Sequence, residues 1–361
     1  DLLDLPFSKI KIIKSIKDIE KIKFDTIFQI NSFDTPLDVI YLKNSNNFTL
    51  VPLPLGNYFA KDDSGRVKSL DQLSKDAKGI NKIGILRMDV DNLGIIFREG
   101  LPTKLRTISR ITNLSRFLNY FFKGYLNLVG LFEERNIRDT CDTSVFRLKN
   151  RDNRNFTIIY SGGDDLLLAG SWDDVLEAAF DINALFRQYT GYNPNITISA
   201  GFGIFDAKFP FYKMAEITGK KLDLAKNEGR NRIWIFDRGV EDQEIFKESI
   251  SWDKFLETWA DFKDLLDNTR ISKRSITRLM LINRDYKNNI DKVSWCINLA
   301  YWYGQLEEDD KKYFSRIIGK YSTIKIIKAS KEKVPEEELS EVYFIDIPLR
   351  ILDLASREDR K

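Results

Sequence analysis

The alternation of apolar and polar positions along the 361 residues changes character near residue 80 and again near residue 241. Between those points, short apolar runs alternate with stretches of helical period, the pattern of a mixed sheet covered by helices. Residues 83–90 predict a buried strand, and an amphipathic helix rich in Leu, Phe and Tyr follows over about 104–128. Two strands, 156–160 and 166–169, flank a Gly-Gly-Asp-Asp turn. A helix over 172–189, a strand over 196–204, a helix over 211–227 and a strand over 232–236 complete the region. The order is βαββαβ with one further helix and strand, which predicts an α+β fold of the ferredoxin-like palm type.

The flanks read differently. Residues 1–79 hold short β-like runs, 26–30, 39–42 and 48–53, broken by Asn, Ser and Pro, and predict a β-rich connector module. Its opening, Lys9-Ile10-Lys11-Ile12 and on to Ile22, fits either an amphipathic helix or a lysine-edged strand. Residues 241–361 turn helical, with segments near 252–266, 273–286, 293–306 and 309–321, and predict a helical bundle. The expected domains are therefore 1–79, 80–240 and 241–361.

Composition narrows the chemistry. There is no histidine, which excludes from this chain a Ser-His-Asp triad, a histidine-ligated metal and a His-Asp nuclease. Cys141 and Cys296 are the only cysteines and form neither a CxxC nor a zinc spacing, a usage that fits a reducing cytoplasm. With 57 Lys+Arg against 54 Asp+Glu, the net charge of +3 gives no global attraction to nucleic acid. No apolar run is long enough to cross a bilayer. The start at Asp1, without methionine or a basic leader, reads as a piece of a longer chain.

Carboxylates are what remain. In Phe156 to Leu168 two apolar strands meet at Ser161-Gly162-Gly163-Asp164-Asp165, where glycine tolerates tight-turn dihedrals and the tip presents two adjacent carboxylates. A helical crossover from 83–90 to 156–160 makes these strands parallel and brings their ends to one sheet edge, so Asp89 and Asp91 are expected near Asp164 and Asp165. Such a cluster repels itself unless cations neutralise it, and hard oxygen donors select Mg²⁺ or Mn²⁺. Either motif alone is ordinary turn chemistry; together, in this element order, they point to two-metal transfer onto a ribose 3′-hydroxyl with pyrophosphate leaving. Lys226, before Gly229 at a helix end, could hold a triphosphate or be a solvated terminal lysine. Ser161 could meet a nucleotide or satisfy the turn.

Taken together, Ile83 to Gly94, Thr107-Ile108-Ser109-Arg110, Leu114-Ser115-Arg116, Tyr160 to Leu166, Ile198-Ser199-Ala200-Gly201, Ala225-Lys226 and Ile347-Pro348-Leu349-Arg350 resemble the large subunit of type III CRISPR effector complexes, in its Csm-type form. The resemblance implies that residues 80–240 are that family's second palm, which converts ATP to cyclic oligoadenylate when target RNA is bound. It implies that Asp89, Asp164 and Asp165 are catalytic and bind the metals together with the Val90 backbone. Ser161, Gly162 and Gly163 would contact nucleotide, and Lys226 would approach the phosphates.

The partners implied are the small subunits, the subunit capping the guide 5′ end, guide RNA and target RNA. The family's first palm and its His-Asp nuclease are expected to lie outside these residues, making this one half of a composite ATP site. Two other readings remain: a non-catalytic scaffold for small subunits and RNA, and a GGDEF-like cyclase, in which Asp165-Leu166 replaces the usual Glu-Phe.

Overall fold

The computed structural model describes residues 2–5, 8–11, 26–30, 49–53, 55–130, 146–148, 153–237, 249–267, 272–288, 293–322 and 339–357. They fall into two units, Asp1–Gly56 and Asn57–Lys361. In the first, β1 (Leu2–Leu5) pairs antiparallel with β2 (Ser8–Lys11), and β3 (Thr26–Ile30) pairs parallel with β4 (Thr49–Leu53). The Lys-Ile alternation thus begins as a strand; residues 12–22 and the expected strand at 39–42 lie outside the described residues.

The second unit opens with residues 58–60 laid along the palm sheet, where the Ile158 N–H donates to the Tyr58 carbonyl at 2.9 Å. Helix α1 (Leu70–Lys75) follows, started by a capping box in which Ser69 and Gln72 satisfy each other's backbone. Residues 57–79, grouped by sequence with the connector, therefore belong to the unit that carries the palm.

Next come β5 (Ile83–Val90), α2 (Leu93–Glu99) and α3 (Ile108–Tyr120), the last capped by the Thr107 hydroxyl. A π-helical stretch, Phe121–Tyr125, leads into α4 (Leu126–Gly130). The single helix expected over 104–128 is thus broken, and it is preceded by the seven-residue α2, absent from the sequence reading, whose Leu93, Ile96 and Phe97 pack on the main core at helical spacing.

β6 (Phe156–Gly162), β7 (Asp165–Ser171), α5 (Trp172–Tyr189), β8 (Ile198–Phe205), α6 (Phe211–Asn227), β9 (Arg232–Trp234) and β10 (Ile250–Ser251) complete the sheet, in the order β10-β9-β8-β5-β7-β6. The four central strands are a ferredoxin-like palm. β5 is antiparallel to both β7 and β8, so β5 and β6 run the same way with β7 between them.

β5 reads as an unbroken apolar run because both of its faces are covered. On one face Leu86, Met88 and Val90 join the main core with α5, and a Cβ at Gly84 would come within 2.8 Å of the Trp172 Cα. On the other, Ile83 and Ile85 pack with Leu73 of α1 and Met214 of α6.

Beyond the sheet, α7 (Trp252–Asp267), α8 (Lys273–Asn288), α9 (Ser294–Gly304), α10 (Glu308–Tyr321), a 3₁₀ turn (Glu341–Ile345) and α11 (Asp346–Ser356) form the expected helical region. It shares its core with the palm: Phe180 of α5 stacks on Phe255 of α7 at 4.4 Å, and Phe146 lies edge-on to Trp259 at 4.7 Å. Each such pair adds about 1 kcal/mol beyond its buried area. Among the described residues no helix is long and apolar enough to cross a membrane.

The approach to β6 is held from beneath by ions. Arg154 is buried between Asp181, which it contacts directly, and Glu177 at 3.6 Å, while Arg147 donates to Asp181 at 2.9 Å. The Leu148 N–H donates to Glu177 at 2.5 Å. Burial outweighs the arginines and raises the Glu177 carboxyl to about 7.

A folded-state pKa above the unfolded one means the native state holds a proton that the unfolded chain releases, so this contribution to stability falls as pH rises from 4.5 to about 7. Melting curves across that window should show a downward slope that is shallower in Glu177→Gln; parallel slopes in the two proteins would contradict this.

Candidate active site

β5 and β7 are hydrogen-bonded neighbours, and their register sets Asp89 directly opposite Asp165. Like charges in that position destabilise a sheet, so their presence at the end of a central pair calls for compensation. It comes from α6, whose last turn carries Lys226: its ammonium is hydrogen-bonded to the Asp89 carboxylate, and both side chains are partly buried. Helix α6 reaches this spot because it packs closely on β8, where a Cβ at Gly201 would lie 2.4 Å from the Thr218 carbonyl oxygen.

The hairpin between β6 and β7 turns on two residues, Gly163 and Asp164, with Gly163 at φ +67°. Positive φ at the first loop residue alone matches a type II′ turn, where glycine avoids a steric cost. The tip is tied down twice. The Val90 N–H donates to the Asp164 carbonyl at 3.1 Å, which joins the tip to the end of β5. The Gly163 N–H donates to the Asn119 side chain of α3 at 3.3 Å.

Electrostatics bear the strain of this gathering. Asp89 titrates above the ordinary carboxylate range, chiefly through burial, with Lys226 opposing and Asp164 and Asp165 adding to the rise. Asp164 is raised by burial and by Asp165. The same Asp165 charge raises the Tyr160 hydroxyl.

The sequence-derived candidates divide into three groups. Asp89, Asp164, Asp165, Val90 and Lys226 come together at one sheet edge. Ser161 instead donates its hydroxyl to the Phe122 carbonyl in the π-helical stretch, where the irregular backbone leaves that oxygen available. Asp91, expected in the same cluster as Asp89, is 1% exposed and faces away from it in bonding. Its carboxylate accepts from Ser199 at 2.7 Å, Thr197 at 2.8 Å and the Asn231 N–H at 3.0 Å. It ties the end of β5 to β8 and to the loop after α6.

Two residues escaped the sequence reading. Asn119 positions the turn, and Lys123 passes beside it: a Cβ at Gly162 would meet the Lys123 Cε at 3.7 Å. Asn119 stands in regular helix and has no local signal, whereas Lys123 lies in the π-helical stretch, which a regular helical period conceals.

The donors suit a hard divalent cation in kind, since carboxylate and carbonyl oxygens are what Mg²⁺ and Mn²⁺ take. In the present arrangement the Lys226 ammonium fills the cation's role at Asp89. Among the described residues no three carboxylate or thiol side chains converge tightly enough to hold a metal.

Residues 82–234 match the family model described as Cas10/Cmr2, second palm domain. The chain is 30% identical over 322 residues to the single-strand-specific deoxyribonuclease Cas10/Csm1 (subtype III-A) of Thermococcus onnurineus, covering 85% of this chain and 38% of that protein. The chain belongs to the Cas10/Csm1 family. It superimposes on the Csm1–Csm4 cassette in complex with cA4 with a TM-score of 0.69 at 26% identity, covering 92% of this chain and 44% of that one. The same cassette in complex with one ATP gives a TM-score of 0.68 at 26% identity, over 92% and 43%. The chain thus spans less than half the length of these Cas10/Csm1 relatives. Those two structures hold cA4 and ATP, respectively, on a fold shared with this chain.

Asp91 is thereby set apart from Asp89 by its bonding. Asp91→Ala strands three donors, of which the Ser199 hydroxyl is buried and the Thr197 hydroxyl and Asn231 N–H are partly buried, and should cost about 2–4 kcal/mol in chemical denaturation. An exposed position such as Ile108→Ala should change stability by less than about 0.5 kcal/mol. Equal effects at the two positions would count against the tie.

Proposed function

We propose that residues 80–240 are a nucleotidyl-transfer palm that joins ATP through 3′-5′ linkages into cyclic oligoadenylate, with the helices after 241 as an attached bundle. The observation that carries this is the Asp89–Asp165 cross-strand pair, with Asp164 beside it and Lys226 as a displaceable counter-charge. A destabilising arrangement on central strands is retained where chemistry requires it. The solved relatives described with ATP and with cA4 support adenine nucleotides as the ligands.

In this reading Asp89, Asp164 and Asp165, with the Val90 backbone, hold Mg²⁺ or Mn²⁺. When bound, the ions activate the 3′-hydroxyl and stabilise charge on the departing pyrophosphate. Lys226 would exchange Asp89 for the triphosphate, a move of a flexible side chain at a helix end. Gly162 and Gly163 keep the hairpin free of side chains, and no atom lies within 4 Å of the place a Gly163 Cβ would take, so a nucleotide can approach the backbone. Ser161 would fix the π-helical stretch against the hairpin, and turning its hydroxyl outward would bring it to the nucleotide.

The parent protein would complete the site with a second palm. It would assemble with a Csm4-like subunit, small subunits, guide RNA and target RNA.

The test uses the parent protein assembled with its effector subunits and RNA. Asp164→Ala with Asp165→Ala should lower ATP-derived oligomer formation by roughly a hundredfold or more while assembly persists. EDTA should abolish the product. Because Asp89 and Asp164 titrate above the ordinary range, the Mg²⁺ concentration for half-maximal rate should rise as pH falls. Undiminished oligomer from the double variant would sink the assignment.

A further inference from the structure

The helical region holds a chemically organised cavity apart from the palm carboxylates. Between α8 and α11 lies a groove of about 540 Å³, a volume typical of small-ligand sites. Its walls are set by helical spacing. From α11 come Asp346, Arg350 and Asp353, with Arg357 just past the helix end; from α8 come Arg284 and Lys287. Four cationic side chains therefore face two carboxylates.

Most of these charges are already engaged. Lys287 and Asp346 form a buried pair at 2.9 Å, and Arg357 meets Asp353 at 2.5 Å. Arg350 donates to the Asp237 carbonyl at 2.7 Å and lies 5.6 Å from the centre of the Phe236 ring, leaving other guanidinium donors uncommitted. Arg284 has neither an ion pair nor a hydrogen bond among the described residues. The excess positive charge thus resides on two guanidinium groups, which suit phosphate oxygens in fork geometry.

The rest of the lining is apolar. Met280 and Leu281 stand in the α8 wall, with Leu281 51% exposed despite its size. A surface that offers guanidinium beside an adaptable apolar face fits a ligand with a charged end and a flat ring. We propose that this groove binds a nucleoside phosphate, its phosphate on Arg284 and Arg350 and its base against Met280 and Leu281. A run of acidic peptide would satisfy the arginines and leave the apolar wall without a partner. The groove is built from α8 and α11 and shares no residue with the palm carboxylates. Through Arg350 it touches the segment that leaves β9, so occupancy would be felt at that edge of the palm.

The chain contains three methionines, and the other two, Met88 and Met214, are buried in the palm cores. Methyl-¹³C methionine labelling of the 361-residue chain therefore gives one reporter in the groove, assigned by Met280→Leu. Titration with ADP in EDTA, which removes metal-dependent binding at the palm, should shift the Met280 resonance saturably. Arg284→Ala, a change at a side chain with no partner to strand, should weaken that binding about tenfold. A Met280 signal unmoved by ADP at about 10 mM would overturn the proposal. So would equal affinity in Arg284→Ala. A hexaglutamate peptide that moves Met280 where ADP does not would assign the groove to a protein partner and also overturn it.

Discussion

Asp89 and Asp165 repel each other across two hydrogen-bonded strands, and much of the palm's layout answers that repulsion. The sheet could relieve it by slipping register or splaying its ends. It does neither, because β5 is paired along its length on both sides and buried on both faces. Relief comes from outside the sheet, through the last turn of α6 and Lys226. Helix α6 can deliver that charge only because Gly201 allows it to lie close against β8. Steric permission two strands away from Asp165 therefore underwrites the electrostatics at the tip.

The two faces of the sheet behind this arrangement contribute different things. The face toward α5 supplies mass, with an aromatic core that runs on into α7. The face toward α6 supplies charge. Asp91 adds to neither. Saturated by Ser199, Thr197 and the Asn231 N–H, it fastens strand ends and keeps Asp89 from drifting out of line. Two aspartates separated by one residue thus have opposite requirements, one for full satisfaction and one for remaining available.

The palm was legible because its signals are local and periodic. Apolar runs of strand length, helices of regular period and a Gly-Gly turn each appear in a window of a few residues, and the sheet order follows from their succession. The nearness of Asp89 to Asp165 was legible for the same reason, whereas the pairing of Lys226 with Asp89 was not. Nor were Asn119 and Lys123: Asn119 meets the hairpin through a contact between residues 44 apart in the chain, and Lys123 lies in the π-helical stretch at Phe121–Tyr125, which shifts helical phase without altering composition. Helix α11 was missed although Arg350, Asp353 and Ser356 give it a polar face, because it is short and carries a proline, Pro348, in its first turn. That Asp91 is bonded to Ser199, Thr197 and the Asn231 N–H was not legible, because chain proximity does not reveal which donors surround a side chain.

In β6 the pairing with β7 skips Ile159, so that Ile158 faces Leu168 and Tyr160 faces Leu167. The bulge leaves Ile159 and Tyr160 both exposed, at 47% and 53%, and restores alternation beyond them in the opposite phase. Ser161 reaches the Phe122 carbonyl only because of that inversion. A single-residue deletion here would exchange inside for outside at every position between the bulge and the turn. The length of β6 is thus a matter of parity: an even change would preserve which way Ser161 points, and an odd one would reverse it.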